Sequence, residues 1–97
     1  MYISNFQSAY AREIQPKVEQ INSGINDEID IVKKCDSLMA TYLRYLKNTE
    51  FGSKEYEGLI KALNTFGEEK NAAIARISAL GKDLRDLVNS GARLNAI

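Results

Sequence analysis

The sequence predicts an all-α protein built on an antiparallel two-helix hairpin. Two long runs of apolar residues recur alternately every three and four positions, which is a helical period and not the two-residue period of a strand. A short stretch of turn-forming residues separates the runs at mid-chain. Ninety-seven residues leave room for one domain, so we expect a single helical domain over 1–97, completed by oligomerisation or by a partner helix.

Residues 1–15 predict a short N-terminal helical segment whose apolar positions step by three, four and four. These positions are Ile3, Phe6, Tyr10 and Ile14. Ser4 or Asn5 is a suitable N-cap. Pro16 carries no amide hydrogen and restricts the residue before it, so a kink or a new helix start is expected there. The alternative is one helix that is continuous from about Asn5 and kinked at Pro16.

The first long helix is predicted over 16–47, because proline is well tolerated at a first helical position. Its apolar seam contains one polar member, Glu28. The seam consists of Val18, Ile21, Ile25, Glu28, Val32, Cys35, Met39, Tyr42 and Leu46. Further apolar residues beside the seam widen it into a broad face. These are Ile29, Ile31, Leu38, Leu43 and Tyr45. Gly24 is a weak point at which the helix is expected to bend.

The turn is predicted over 48–53, in the sequence KNTEFGS of residues 47–53. Asn48 is the expected left-handed cap of the first helix, and Ser53 is the expected N-cap of the second. Phe51 is expected to pack down and hold the turn in place.

The second long helix is predicted over 54–89, followed by a tail over 90–97 in which Asn89, Ser90 and Gly91 indicate a helix stop. Its seam again contains one charged member. The seam consists of Leu59, Leu63, Phe66, Lys70, Ala73, Ile77, Leu80, Leu84 and Leu87. Gly58, Gly67 and Gly81 each lower helix stability by about 1 kcal/mol relative to alanine. They predict either breaks or close approach of another backbone, and the heptad spacing of Gly67 and Gly81 favours close approach.

A hairpin closed at 48–53 predicts that facing residues have numbers summing to about 101. Glu28 and Lys70, the charged member of each seam, then lie within about one turn of each other. We predict that they form an ion pair across the hairpin, which sets its antiparallel register. The alternative is that each extends separately to solvent.

No catalytic, cofactor or metal motif is recognisable, which predicts that the protein is not an enzyme and needs no cofactor. Histidine is absent, and Cys35 is the only cysteine, which is expected to be a packed thiol. Thirteen basic and thirteen acidic residues balance, so an electrostatic nucleic-acid surface is not expected. The absence of a long apolar run predicts no membrane insertion, and the polar N-terminus predicts that the protein is cytoplasmic or exported without a cleavable signal peptide.

In architecture the chain resembles the small helical hairpins of bacterial specialised secretion. KNTEFGS at 47–53 would occupy the interhelical turn of type III needle subunits, although the proline-rich turn of that family is absent. In the WXG100 group the turn carries Trp-x-Gly, whereas this chain has Phe51-Gly52 and no tryptophan. Ile29–Val32 and Gly67-Glu68-Glu69 are similar in pattern to small type III chaperones. The resemblance implies assembly or client binding, not catalysis.

We therefore expect a non-catalytic helical interaction protein, a subunit or adaptor that packs an apolar helical stripe on itself or on a helical partner. The predicted interface residues are Ile31, Leu38, Tyr45, Ile60, Gly67, Ile74, Gly81 and Val88. The alternatives are a chaperone for an exported helical partner, a filament or virion structural subunit, and an inhibitor of a larger enzyme.

Overall fold

The protein is an all-α helical hairpin, as the sequence predicts. A computed structural model describes the backbone of residues 12–96 and the side chains of residues 12–91. Helix α1 spans Gln15–Lys47 and helix α2 spans Lys54–Ala96, and no strand is present in these described residues. The predicted caps Ser4 and Asn5, with most of the predicted segment 1–15, lie outside the described residues.

The two predicted seams are the sides on which the helices pack. Every seam position of α1, from Val18 to Leu46, is buried or half-buried, and so is every seam position of α2, from Leu59 to Leu87. The three-four spacing places all nine members of each seam along one side of a helix, where the other helix covers them. The helical periodicity was therefore sufficient to identify the packed side of both helices.

Helix α1 begins anew close to Pro16, one of the two possibilities that the sequence left open. Arg12 and Glu13 are helical, Ile14 lies in a turn, and α1 starts at Gln15, one residue before the predicted start. The carbonyl of Ile14 accepts a 3.0 Å hydrogen bond from the Val18 amide, so it caps the first turn of α1. Proline fits here because an amide in the first turn has no partner within the helix.

The turn occupies residues 48–53, as predicted, but its caps differ in part. The Ser53 hydroxyl accepts a 3.1 Å hydrogen bond from the Tyr56 amide, which confirms it as the N-cap of α2. Asn48 was wrongly predicted as a left-handed cap, since no described residue other than glycine has a positive φ. Instead its side-chain amide donates to the Arg44 carbonyl at 3.3 Å. Gly52, at φ +80°, supplies the left-handed backbone of the turn.

Helix α2 extends past the predicted stop at residue 89 and ends at Ala96. Ser90 stays helical and donates its hydroxyl hydrogen to the Asp86 carbonyl at 3.0 Å. Gly91 is buried, and it continues the seam four residues after Leu87. Ile14 is also buried and continues the α1 seam four residues before Val18. Packing of an added seam layer therefore outweighs the low helix propensity of Gly91.

Each helix contributes to two compact units. The first unit contains, among the described residues, 12–27 and 76–96; the second contains 28–75, which includes the turn. The buried apolar side chain of the first unit is Ile14, and those of the second are Cys35 and Ala73. No described polar residue is buried, and no large described side chain is completely enclosed. The interior of the second unit is therefore thin.

The register differs from the predicted one by about one helical turn. In the second unit the Cys35 thiol lies 4.0 Å from Glu69 Oε2, and these residue numbers sum to 104. Tyr42 and Phe66, whose rings pack edge to face with centroids 5.1 Å apart, sum to 108. The predicted sum of about 101 assumed that the ends of the two helices lie level at the turn. The observed contacts instead give sums of 104 to 108, so each residue of α1 faces a later residue of α2 than that assumption predicts.

Gly24 is a point of close approach, and the sequence predicted a bend there. In the first unit a methyl group on its α-carbon would lie 3.4 Å from Leu80 Cδ1, at van der Waals distance. The residue numbers of Gly24 and Leu80 sum to 104. A methyl group at this position would thus be in ordinary contact with Leu80, so this packing does not require glycine.

Candidate protein-binding surfaces

The exposed apolar residues of the second unit lie on two opposite faces. Asp36 follows the seam residue Cys35, and its Oδ1 lies 2.7 Å from Lys70 Nζ. Asp36 shares a heptad row of α1 with Ile29 and Leu43, so that row borders the Lys70 side of α2. Cys35 contacts Glu69 on the other side of the seam. The two contacts identify which rows of α1 and α2 share each face.

The first face, which we call the Ile60 face, combines the Ile29–Leu43 row of α1 with the neighbouring row of α2. Its residues are Ile29, Asp36, Leu43, Ile60, Gly67 and Ile74. Leu43 is 50% exposed, Ile60 and Ile74 are also exposed, and Ile29 is half-buried. The one ion pair on this face is that of Asp36 with Lys70. The face is therefore apolar at both ends and charged in the middle.

The opposite face, which we call the Tyr45 face, carries the predicted residues Ile31, Leu38 and Tyr45. Ile31 and Tyr45 are exposed and Leu38 is half-buried. Tyr45 packs against Tyr42 with ring centroids 6.2 Å apart, and Tyr42 in turn contacts Phe66 in the interior. The aromatic contacts hold Tyr45 in place at the surface.

The predicted interface residues are thus divided. Ile60, Gly67 and Ile74 share one face of the second unit, and Ile31, Leu38 and Tyr45 share the other. Gly81 and Val88 belong to the first unit, where Val88 is exposed and Gly81 half-buried. Sequence reasoning treated these residues as one stripe because it did not consider which rows an antiparallel hairpin brings together.

An open groove of about 380 Å³ lies beside the turn, at the start of α2. Phe51, Tyr56 and Ile60 form its apolar lining, and Glu57 and Lys61 also line it. The Phe51 ring packs on Tyr56 at a centroid distance of 5.1 Å, yet Phe51 remains 84% exposed. Phe51 therefore contacts the first turn of α2, as expected of a residue that holds the turn, but it is not buried there. The predicted interface residues also left out Leu43, although its heptad spacing from Ile29 and Asp36 signals a third row.

The charged seam residues do not have the predicted arrangement. Lys70 pairs with Asp36, whose numbers sum to 106, and not at the register that the pair with Glu28 required. Glu28 lies seven residues before Cys35, about 10 Å along the helix from the level of Lys70. Its Oε2 atom is shielded from solvent. The register correction therefore removes the basis for the predicted ion pair.

The glycines of α2 leave space in place of a close contact within the described chain. The helix is unbroken at Gly58, Gly67 and Gly81, and a methyl group at any of them would meet no atom within 4 Å. The close approach predicted for Gly67 and Gly81 is thus not made by α1. Gly67 instead forms a shallow notch in the middle of the Ile60 face.

The described residues contain no group of three or more cysteine, aspartate or glutamate side chains placed to hold a metal ion. Cys35 is a free thiol that is 2% exposed, which agrees with its expected packing role. Neither described helix has a stretch that is both long and apolar enough to span a lipid bilayer.

Comparisons with known proteins give no relative for this chain. No protein-family model matches it, no curated protein is significantly similar, and no solved structure matches its fold significantly.

Proposed function

We propose that this protein is a non-catalytic interaction module that packs its exposed apolar helical faces on helices of another chain. The single observation that carries this proposal is the contrast within the second unit. Its interior contains two fully buried apolar residues, Cys35 and Ala73, whereas Leu43, Phe51 and Ile74 stay largely exposed. A helix pair covers only one row of each helix, so the neighbouring apolar rows stay available for a further helix.

The energetics favour a further helix over water on these faces. Each square ångström of apolar surface removed from water stabilises by about 25 cal/mol, and an isoleucine or leucine that becomes fully buried contributes about 1.5–3 kcal/mol. A small domain with a thin interior has little stability of its own. An added helix would therefore stabilise the hairpin while it binds to it.

Thermal unfolding across a protein concentration series tests this proposal. Helicity is followed by circular dichroism, and the mass of the same samples by light scattering coupled to size exclusion. We expect either a complex whose Tm rises with concentration, or a monomer that melts broadly because its faces are uncovered. A monomer that is fully helical and melts sharply at a concentration-independent Tm would contradict the proposal.

The more specific roles predicted from the sequence are distinguished by what assembles. A chaperone of an exported helical partner would form a complex of fixed stoichiometry with that partner, whereas a filament subunit would polymerise with rising concentration. We propose that the protein is cytoplasmic or is exported without a cleavable signal peptide. Fractionation of the producing cells, with the chain detected by an antibody in each fraction, tests this location.

A further inference from the structure

Building on the interaction role above, we propose that the Ile60 face binds a second copy of this chain. The two copies lie face to face, related by a two-fold axis parallel to their helices, with both turns at the same end. In this arrangement α1 of each copy packs over α2 of the other. The second units then form a four-helix bundle in which neighbouring helices are antiparallel.

The apolar residues of the face are self-complementary under this axis. Leu43 and Ile60 lie at one level of the hairpin, and Ile29 and Ile74 lie at another, given the observed register. An axis parallel to the helices keeps every residue at its own level. Leu43 of one copy therefore meets Ile60 of the other, and Ile29 meets Ile74. Both apolar ends of the face are covered at once.

The notch at Gly67 accommodates the charged centre of the face. Asp36 and Gly67 lie at the same level, so the Asp36–Lys70 ion pair of each copy faces Gly67 of the other. A methyl group on Gly67 would meet no atom within its own chain, so its row leaves space at that level. A larger side chain there would meet the ion pair. A polar pair facing a glycine also sets the register between the copies.

The charges at the two edges of the face favour the orientation in which both turns lie at the same end. The outer row of α1 carries Lys33 and Lys47, and the outer row of α2 carries Glu57 and Asn71 at the same levels. With both turns at one end, Lys47 meets Glu57 of the other copy and Lys33 meets Asn71. Turns at opposite ends would place α1 over α1, and Asp36 of one copy would then lie against Asp36 of the other. Charge complementarity therefore favours the first arrangement.

The groove beside the turn is covered in the same arrangement. Its lining residues Phe51, Tyr56 and Ile60 lie at the level of Leu43 and Lys47. The end of α1 from the other copy thus passes over the groove, where the aliphatic stem of Lys47 covers the Phe51 ring and its ammonium group reaches Glu57. Phe51, the most exposed apolar side chain of the second unit, thereby obtains a contact in addition to that with Tyr56.

Sedimentation equilibrium of two matched variants tests the face. Ile60→Glu changes the proposed interface, and Ile31→Glu makes the same change on the Tyr45 face. The two isoleucines are 36% and 38% exposed, so the intrinsic effect on the monomer should be equal. We expect a dimer in the unchanged chain, a dimer Kd raised at least about tenfold by Ile60→Glu, and little change with Ile31→Glu. Circular dichroism of both variants checks that they remain helical.

A mixing experiment tests the orientation. Lys47→Glu and Glu57→Lys should each weaken the dimer, because like charges then meet at both edges. In an equimolar mixture every edge again pairs Lys with Glu, so a heterodimer of nearly unchanged affinity is expected. An ion pair within one chain cannot be restored by mixing. Failure of the mixture to form a heterodimer would overturn the proposed orientation.

The outcomes separate this inference from the proposed function. Assembly that is lost with Ile31→Glu and retained with Ile60→Glu would overturn the dimer through the Ile60 face while leaving the interaction role intact. A loosely folded monomer would do the same. A sharply melting monomer at all concentrations would overturn both.

Discussion

The ion pair between Asp36 and Lys70 provides a direct test of the hairpin register. Its 2.7 Å distance joins side chains that are 51% and 32% exposed, so solvent screens it and the coupling free energy should be about 0.5–1 kcal/mol. Lys70→Glu or Asp36→Lys alone replaces this attraction with repulsion, and each should destabilise by about 1 kcal/mol. The double reversal should recover most of that loss.

Urea unfolding followed by circular dichroism, at one low protein concentration, measures the four free energies of the cycle. A parallel cycle with Glu28→Lys and Lys70→Glu serves as the control for the predicted register. The effects of these two changes on the free energy of unfolding should be additive within about 0.3–0.5 kcal/mol. Glu28 and Lys70 are too far apart for a direct interaction, because their levels differ by about 10 Å along the hairpin. The Asp36 coupling should also decrease at high salt.

The reasoning would be refuted by the opposite pattern of coupling. If reversal of Glu28 rescued Lys70→Glu while reversal of Asp36 did not, facing residues would follow the sum of about 101. The faces assigned above would then be incorrect as well, because the Asp36–Lys70 contact identifies which rows are neighbours.

Three further predictions concern the core and the turn. Ala73→Leu should destabilise the protein by about 1–3 kcal/mol, because Ala73 is completely buried. Ala75→Leu, at an exposed position, should change the stability by no more than about 0.5 kcal/mol. Equal unfolding midpoints of the two variants in urea would contradict this. Ser53→Ala should lower stability by about 1 kcal/mol through loss of the N-cap, and Ser53→Asp should retain it; a Tm unaffected by alanine would show that the cap is not needed. Gly58→Ala should stabilise by about 0.5–1 kcal/mol, whereas Gly52→Ala should destabilise by about 1 kcal/mol because of its positive φ, so thermal melts should shift in opposite directions.

The helical period predicted the packed sides of this hairpin, because the side of a helix that carries its apolar residues depends on the sequence of that helix alone. Every member of both seams is buried or half-buried, including Glu28 and Lys70. The turn could likewise be predicted from the local sequence, because Ser53 and Gly52 take the conformations that their chemistry favours. Gly91 was misread because its burial depends on the opposite helix, which local propensity does not include.

To predict the register of the hairpin and its two faces, both helices must be considered together. Pairing the seams member by member from the turn, Leu46 with Leu59 and Tyr42 with Leu63, gives a constant sum of 105, which lies within the observed range of 104 to 108. That alignment was available from the sequence, but the midpoint of the turn was used in its place. The two faces follow only once the antiparallel pairing is applied to the rows beside each seam.

The division into two units implies an order of folding. Residues 28–75 form one contiguous segment closed by a short turn, and Cys35 and Glu69 within it are 34 residues apart. The other unit joins two segments that are separated by all of that stretch, and Gly24 and Leu80 are 56 residues apart. Bringing such distant segments together first would lose more chain entropy. Folding should therefore begin beside the turn and proceed along both helices away from it. Unfolding should begin at the helix ends that lie far from the turn.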